Sequence, residues 1–258
     1  MELFIKIICC LLAGCGAGLG TGFAGMSAAV VITPILVTFL GMPAYSAIGI
    51  ALASDVLASG VSAYTYHKNK NIDIKNGIVM MLIILLFTLI GSTAASHVSN
   101  SAMGGTSVFM TTLMGIKFIV KPVNTTKEAM NSVSPKKRLV MSVIFGMLIG
   151  FVCGFVGAGG GMMMLMVLTS VLGYELKTAV GTSVFIMTFT AFTGAASHFI
   201  IDDKSPDLLI LALCVMFTFI FARIGAVIAN KVSSKTLNRA TGIILVLLGA
   251  AVIGIGSL

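Results

Sequence analysis

The segment Gly154-Phe155-Val156-Gly157-Ala158-Gly159-Gly160-Gly161 lies inside apolar sequence, and a degraded copy, Gly22-Phe23-Ala24-Gly25-Met26-Ser27-Ala28-Ala29, stands 132 residues earlier. The same offset pairs Gly14 with Gly146, Gly18 with Gly150, Leu36 with Leu168, Gly41 with Gly173 and Gly49 with Gly181. With the offset slipped to 134, Ile90-Gly91 pairs with Ile224-Gly225 and Gly115 with Gly249. Self-similarity over nearly the whole chain marks an internal duplication, so both halves must solve the same folding problem.

That problem is set in lipid. Of 258 residues 58% are hydrophobic and 9% charged, and the mean hydropathy is +1.11, too little polar side chain to cover a water-soluble globule. Apolar runs fall at about 3–21, 26–40, 44–66, 77–96, 103–120, 139–157, 160–172, 178–200, 208–230 and 236–256. Most approach the ~20 residues that cross hydrocarbon, and their lack of two-residue alternation argues for helices rather than a barrel. The predicted fold class is therefore an all-α integral membrane protein, a polytopic bundle of two repeats with about five hydrophobic segments each. Residues 1–120 form the first repeat, 121–138 a basic connection and 139–258 the second repeat, within a single membrane domain. Gly14, Gly18 and Gly22, like Gly146, Gly150 and Gly154, put small residues on one helical face where backbones can approach.

The charge of +8 clusters between apolar runs, which reads as membrane topology and not as a nucleic-acid partner. Cys9, Cys10, Cys15, Cys153 and Cys214 lie within apolar runs without metal-type spacing and read as small hydrophobes. Leu12-Ala13-Gly14-Cys15 looks like a lipoprotein cleavage box, but cleavage there would remove a helix the duplication requires.

Lys117, Lys121, Lys127, Lys136, Lys137 and Arg138 against Glu128 place the connection between the halves on the cytoplasmic side. The 67–75 loop is basic, whereas its counterpart at 202–207 is acidic. Five crossings per half then invert the second copy, put both termini outside the cytoplasm and give the plan of many secondary transporters in the cell membrane. Two parallel copies are the alternative, and would put residues 202–207 on the cytoplasmic side. The runs at 26–40 and 160–172 are too short to cross comfortably, and each comes directly after a glycine cluster. Broken or re-entrant hairpins are expected there, with exposed backbone lining a cavity.

A helix starting near Gly159 would present free N–H groups and a positive dipole end to an anion, and the alternative is tight packing alone. The expected substrate-binding residues are Gly157, Gly159, Gly160 and Gly161, with Gly22, Gly25 and Ser27 in the first copy. Thr182 and Ser183 could add hydroxyl donors, or bond back to their own helix. Asp55 and Arg223 are charges at depth in apolar runs. Arg223 could counter an anion and Asp55 carry a proton or hold sodium; a structural Asp55–Arg223 pair, or an Arg223 that snorkels to the surface, is the other reading. His198 ends an apolar run and is a candidate gating group or a solvated end group. His67, His97 and His198 are too dispersed for HExxH-type chemistry and no GxxxxGK[ST] motif occurs, so neither an enzyme nor a bound cofactor is expected, and ATP-driven transport would need a separate subunit.

The pattern Gly150-x-x-x-Gly154-x-x-Gly157-x-Gly159-Gly160-Gly161, then Gly173, Ala179-Val180-Gly181-Thr182-Ser183, His198 and an acidic turn at 202–203 resembles the TauE/SafE family of sulfite exporters and related anion permeases. The first half keeps the frame less strictly, with Ser27-Ala28-Ala29 for the glycine triplet and Ile50-Ala51 for Thr-Ser, while Met166 stands where the second half would carry the counterpart of Pro34. The resemblance implies secondary movement of a small anion, sulfite or an organosulfonate, outward across the membrane. A passive anion channel, or carriage of a different ion, is the alternative. The sequence leaves the oligomeric state open.

Overall fold

The computed structural model describes residues 2–95, 113, 116–117, 119–132, 134–156, 160–201 and 206–256. Among these the chain is entirely helical: α1 Glu2–Ala24, α2 Ala29–Leu40, α3 Ala44–Lys68, α4 Ile74–Ala95, α5 Lys127–Asn131, α6 Pro135–Val156, α7 Gly160–Ser170, α8 Leu176–Ile201, α9 Leu208–Lys231 and α10 Ser234–Gly256. Five of them are long and apolar enough to cross a membrane by length and composition, which with their number makes this a multi-pass membrane protein. Most of the apolar run at 103–120, and residues 202–205 of the acidic loop, lie outside the described residues.

The short runs are helical hairpins. α1 ends at Gly25, whose φ of 61° is left-handed and therefore suits glycine, and α2 folds back so that Val31 lies on Gly16. α7 packs on α6 in the same way, with Gly160 on Cys153. Both short helices end alike. Gly41 and Gly173 are left-handed caps at φ 61° and 65°, after which Met42 N–H donates to Leu36 O at 3.2 Å and Tyr174 N–H to Leu168 O at 2.8 Å. These are pairs that the 132-residue offset equates.

The glycine stripes fix how the hairpins dock. Gly14 lies against Phe217, Gly18 against Thr218 and Phe221, and Gly22 against Ala222 and Gly225, so α1 runs parallel to α9. Gly146 lies against Ile83, and Gly150 against Ile84 and Phe87, so α6 runs parallel to α4. With the 134-residue offset, Ile83, Ile84 and Phe87 become Phe217, Thr218 and Phe221: equivalent glycines touch equivalent partners. Cβ atoms at Gly18 and Gly150 would reach neighbouring backbone, the close approach that replaces a hydrophobic driving force in lipid. At the centre, α3 packs antiparallel to its counterpart α8: Gly49 sits on His198 and Phe199, Leu52 on Gly194, Gly60 on Thr188 and Tyr66 on Gly181.

Polar groups sort to two ends. On one side the Lys127 ammonium, from the connection between the halves, donates to Lys70 O at 3.1 Å and Asn71 Oδ1 at 2.6 Å, and Asn71 donates to Asn230 Oδ1 at 2.7 Å. Asn238 grips the connection by both backbone groups of Val123, accepting its N–H at 2.8 Å and donating to its carbonyl at 2.9 Å. The basic loops at 67–75, 121–138 and 231–239 therefore share one side. At the opposite end Lys6 pairs with Asp207 at 3.0 Å, and Asp207 also caps α9 through the Leu209 and Ile210 N–H groups. Partial burial works to raise the Asp207 carboxyl, but the Lys6 ammonium and the cap bonds outweigh it and leave the group below the usual carboxylate range.

Candidate functional site

The two hairpin tips meet inside the bundle. A Cβ on Gly161, in the first turn of α7, would overlap the Gly25 carbonyl and lie 2.9 Å from Met187 Sδ and 3.2 Å from Ser27 N. Gly25 in turn sits on the Ser183 hydroxyl of α8. The structure thus brings together Gly25, Ser27, Gly161 and Ser183, three of them from glycine clusters 132 residues apart and their immediate neighbours.

Three carbonyls released where α1 stops are answered by side chains. Thr21 Oγ1 donates to Met26 O at 2.8 Å, Tyr66 OH to Gly22 O at 2.9 Å and Thr241 Oγ1 to Phe23 O at 3.3 Å. Irregular backbone is tolerated at membrane depth because protein hydroxyls replace the missing helical donors. Gly22 itself packs on α9.

Asp55 sits at the start of α2. It is 0% exposed, accepts the Ser27 hydroxyl on Oδ2 at 2.8 Å and faces the Ala28 backbone N–H, while Oδ1 has no hydrogen-bond partner among the described residues. A carboxylate from α3 therefore lies where the free N–H groups and positive end of α2 favour a negative charge. The residue at the equivalent place in the second repeat, by the 132-residue offset, is Met187, which faces Gly161. One tip carries a carboxyl group; the other carries a thioether.

Other expected site residues lie elsewhere. Arg223 is exposed on the outer face of α9 and forms no ion pair with Asp55 among the described residues, because Ala222 and Gly225 take the face that packs on α1. Thr182 turns away from the tips: its Oγ1 accepts the Asp73 N–H at 3.0 Å and holds the α3–α4 loop. Ser183 Oγ donates back to Val180 O at 2.9 Å within its own helix. His198 is near the far end of α8, stacked on Tyr45 with ring centroids 4.2 Å apart. Gly157 and Gly159 lie outside the described residues, while Gly160 contacts Cys153. Tyr66, Thr21 and Met187 also shape the site, though sequence alone did not single them out, since a hydroxyl or thioether in an apolar run carries no signal until its register is known.

Two antiparallel central helices, flanked by short helices whose starts meet beside a buried carboxylate, define a polytopic helical membrane protein with a built polar centre. The chain matches the family described as sulfite exporter TauE/SafE over residues 10–252, and it belongs to that family. It is 25% identical to the probable membrane transporter protein YunE of Bacillus subtilis (strain 168), over 98% of both chains. It is also 27% identical to a probable membrane transporter protein of Haemophilus influenzae, over 95% of this chain and 97% of that one. A third relative so named, from Methanocaldococcus jannaschii, is 25% identical over 86% of this chain and 83% of its own. Family and relatives make this chain a membrane transporter protein.

Proposed function

We propose that the chain is a secondary transporter of a small anion, sulfite or an organosulfonate, working by alternating access between two inverted repeats. The observation that carries the reading is the meeting of the hairpin tips at Gly25, Ser27 and Gly161 beside the half-satisfied Asp55. Inversion is supported by the antiparallel packing of α3 on α8 and by the matched contacts of the two glycine stripes. A cytoplasmic position for the connection is supported by the gathering of three basic loops on its side.

In this reading the anion binds at the N-terminal end of α7, where glycine backbone offers N–H groups without side chains. Asp55 already occupies the corresponding place at α2. Two unit negative charges about 5 Å apart at an effective dielectric of about 20 repel by about 3 kcal/mol, so anion and ionised Asp55 disfavour each other. A proton delivered to Oδ1 relieves the conflict and couples the anion to the proton. The bonds of Asp55 involve no Lys or Arg among the described residues, which favours a cation at the same carboxylate as the second reading.

Proteoliposomes holding the full chain decide between them. Isethionate is the cleaner probe, because a sulfonate stays ionised where sulfite takes up protons. The expected result is saturable isethionate flux driven by a pH gradient, with Asp55→Asn cutting the gradient-driven component at least tenfold. Absence of sulfonate and sulfite flux, with sodium or proton flux alone, overturns the anion reading.

A further inference from the structure

On the side of the basic loops a cavity of about 620 Å³ opens between the α3–α4 turn and the connection between the halves. Five basic side chains line it, His67, Lys70, Lys75, Lys127 and Arg138, against the carboxylate of Asp73. That carboxylate is spent. Tyr174 OH and Asn76 Nδ2 each donate to Asp73 Oδ2 at 2.7 Å, the Asn76 N–H donates to Oδ1 at 3.2 Å, and Arg138 Nη1 stands 3.5 Å from Oδ2. Asp73 therefore balances Arg138 alone. Among the described residues Lys127 donates to neutral acceptors, Lys70 O and Asn71 Oδ1, and forms no ion pair, while Glu128 and Glu175 line the neighbouring groove with it.

Arg138 is the wall's fixed point. It is 9% exposed, held by the Met130 carbonyl and placed 5.1 Å over the Tyr174 ring. A guanidinium fixed in this way, at the wall of a cavity that three lysines also line, is a recognition arrangement for an oxyanion. A chain of contacts runs from the cavity wall toward the centre of the protein along α8. The Asp73 N–H at its wall donates to Thr182 Oγ1, and the next residue, Ser183, contacts Gly25 at the hairpin tip.

We propose that this cavity is a vestibule that captures a small oxyanion and delivers it to the hairpin tips. Delivery rests on the transport reading above; binding in the cavity does not. Clustered positive charge on a concave wall raises the local anion concentration, and salt weakens that effect because the lysines are solvated.

Two measurements on the full chain test it. In proteoliposomes at low ionic strength, the Lys70→Gln/Lys75→Gln/Lys127→Gln variant should raise the half-saturation concentration for isethionate about tenfold and leave maximal flux within twofold. The difference should shrink to below threefold at high salt. Lys75→Glu alone, at a side chain with no hydrogen bond to lose among the described residues, should raise it at least threefold. An unchanged half-saturation concentration in both variants overturns the vestibule. Independently of transport, sulfate should protect Lys70, Lys75 and Lys127 from an amine-acylating reagent, read by mass spectrometry, and protection should persist in Gly161→Leu. Lysines that acylate equally with and without sulfate overturn capture. If sulfate protects but no anion crosses the membrane, the vestibule stands and the transport reading falls.

Discussion

The two hairpin tips correspond under the 132-residue offset but differ in their polar groups. The first tip spends its polar groups on itself: Ser27 and the start of α2 are taken by Asp55, and the carbonyls of Gly22, Phe23 and Met26 by Tyr66, Thr241 and Thr21. The second tip has Gly160 and Gly161 with Met187 opposite, and no carboxylate at that place. Ser27, which the 132-residue offset pairs with Gly159, has its hydroxyl on the Asp55 carboxylate. The same offset pairs Asp55 with Met187, so one tip holds a titratable group where the other has a thioether.

The sharpest way to break this contrast is at the contact between the tips. Gly161→Leu should reduce flux at least 100-fold in proteoliposomes, because its side chain meets the Gly25 carbonyl, which is backbone and cannot rotate away. Among the described residues Gly160→Ala meets the side chain of Cys153, and it should lose no more than about fivefold. Equal losses at both positions would mean that the tips do not touch as described. A smaller effect is expected from Ser27→Gly, which rebuilds the second tip's pattern in the first. It removes a hydrogen bond to a buried carboxylate, worth about 2 kcal/mol, and should lower thermal stability by that order. A variant as stable as the parent would show that Ser27 does not hold Asp55. The smallest effect belongs to Arg223→Gln, on the outer face of α9, where flux should stay within twofold of the parent. A tenfold loss there would return Arg223 to the binding site.

Much of this architecture was legible in the sequence because membrane helices advertise their length and the duplication advertises its frame. The short segments after the glycine clusters are hairpin arms, as the mismatch between their length and the bilayer required, although Met26, Ser27 and Ala28 belong to the break and not to the helix. Glycine pairs named from a fixed offset proved to be equivalent caps and equivalent packing surfaces. Facing direction was harder. The moment of a helix that is apolar all round carries almost no information, so nothing in the sequence told that Arg223 points outward, that Thr182 serves the α3–α4 loop, or that Asp55 turns toward Ser27. Depth was readable for each of these charges and hydroxyls; azimuth was set by glycine contacts on the neighbouring face.

Asn238 holds Val123 by both of its backbone groups, and Lys127 is tied to the turn beyond α3. The first part of the connection is thus no slack leash but a strut riveted at two points. Extra residues spliced in between Val123 and Lys127 would have to bulge outward as a loop, and the rivets on either side would keep the copies in register.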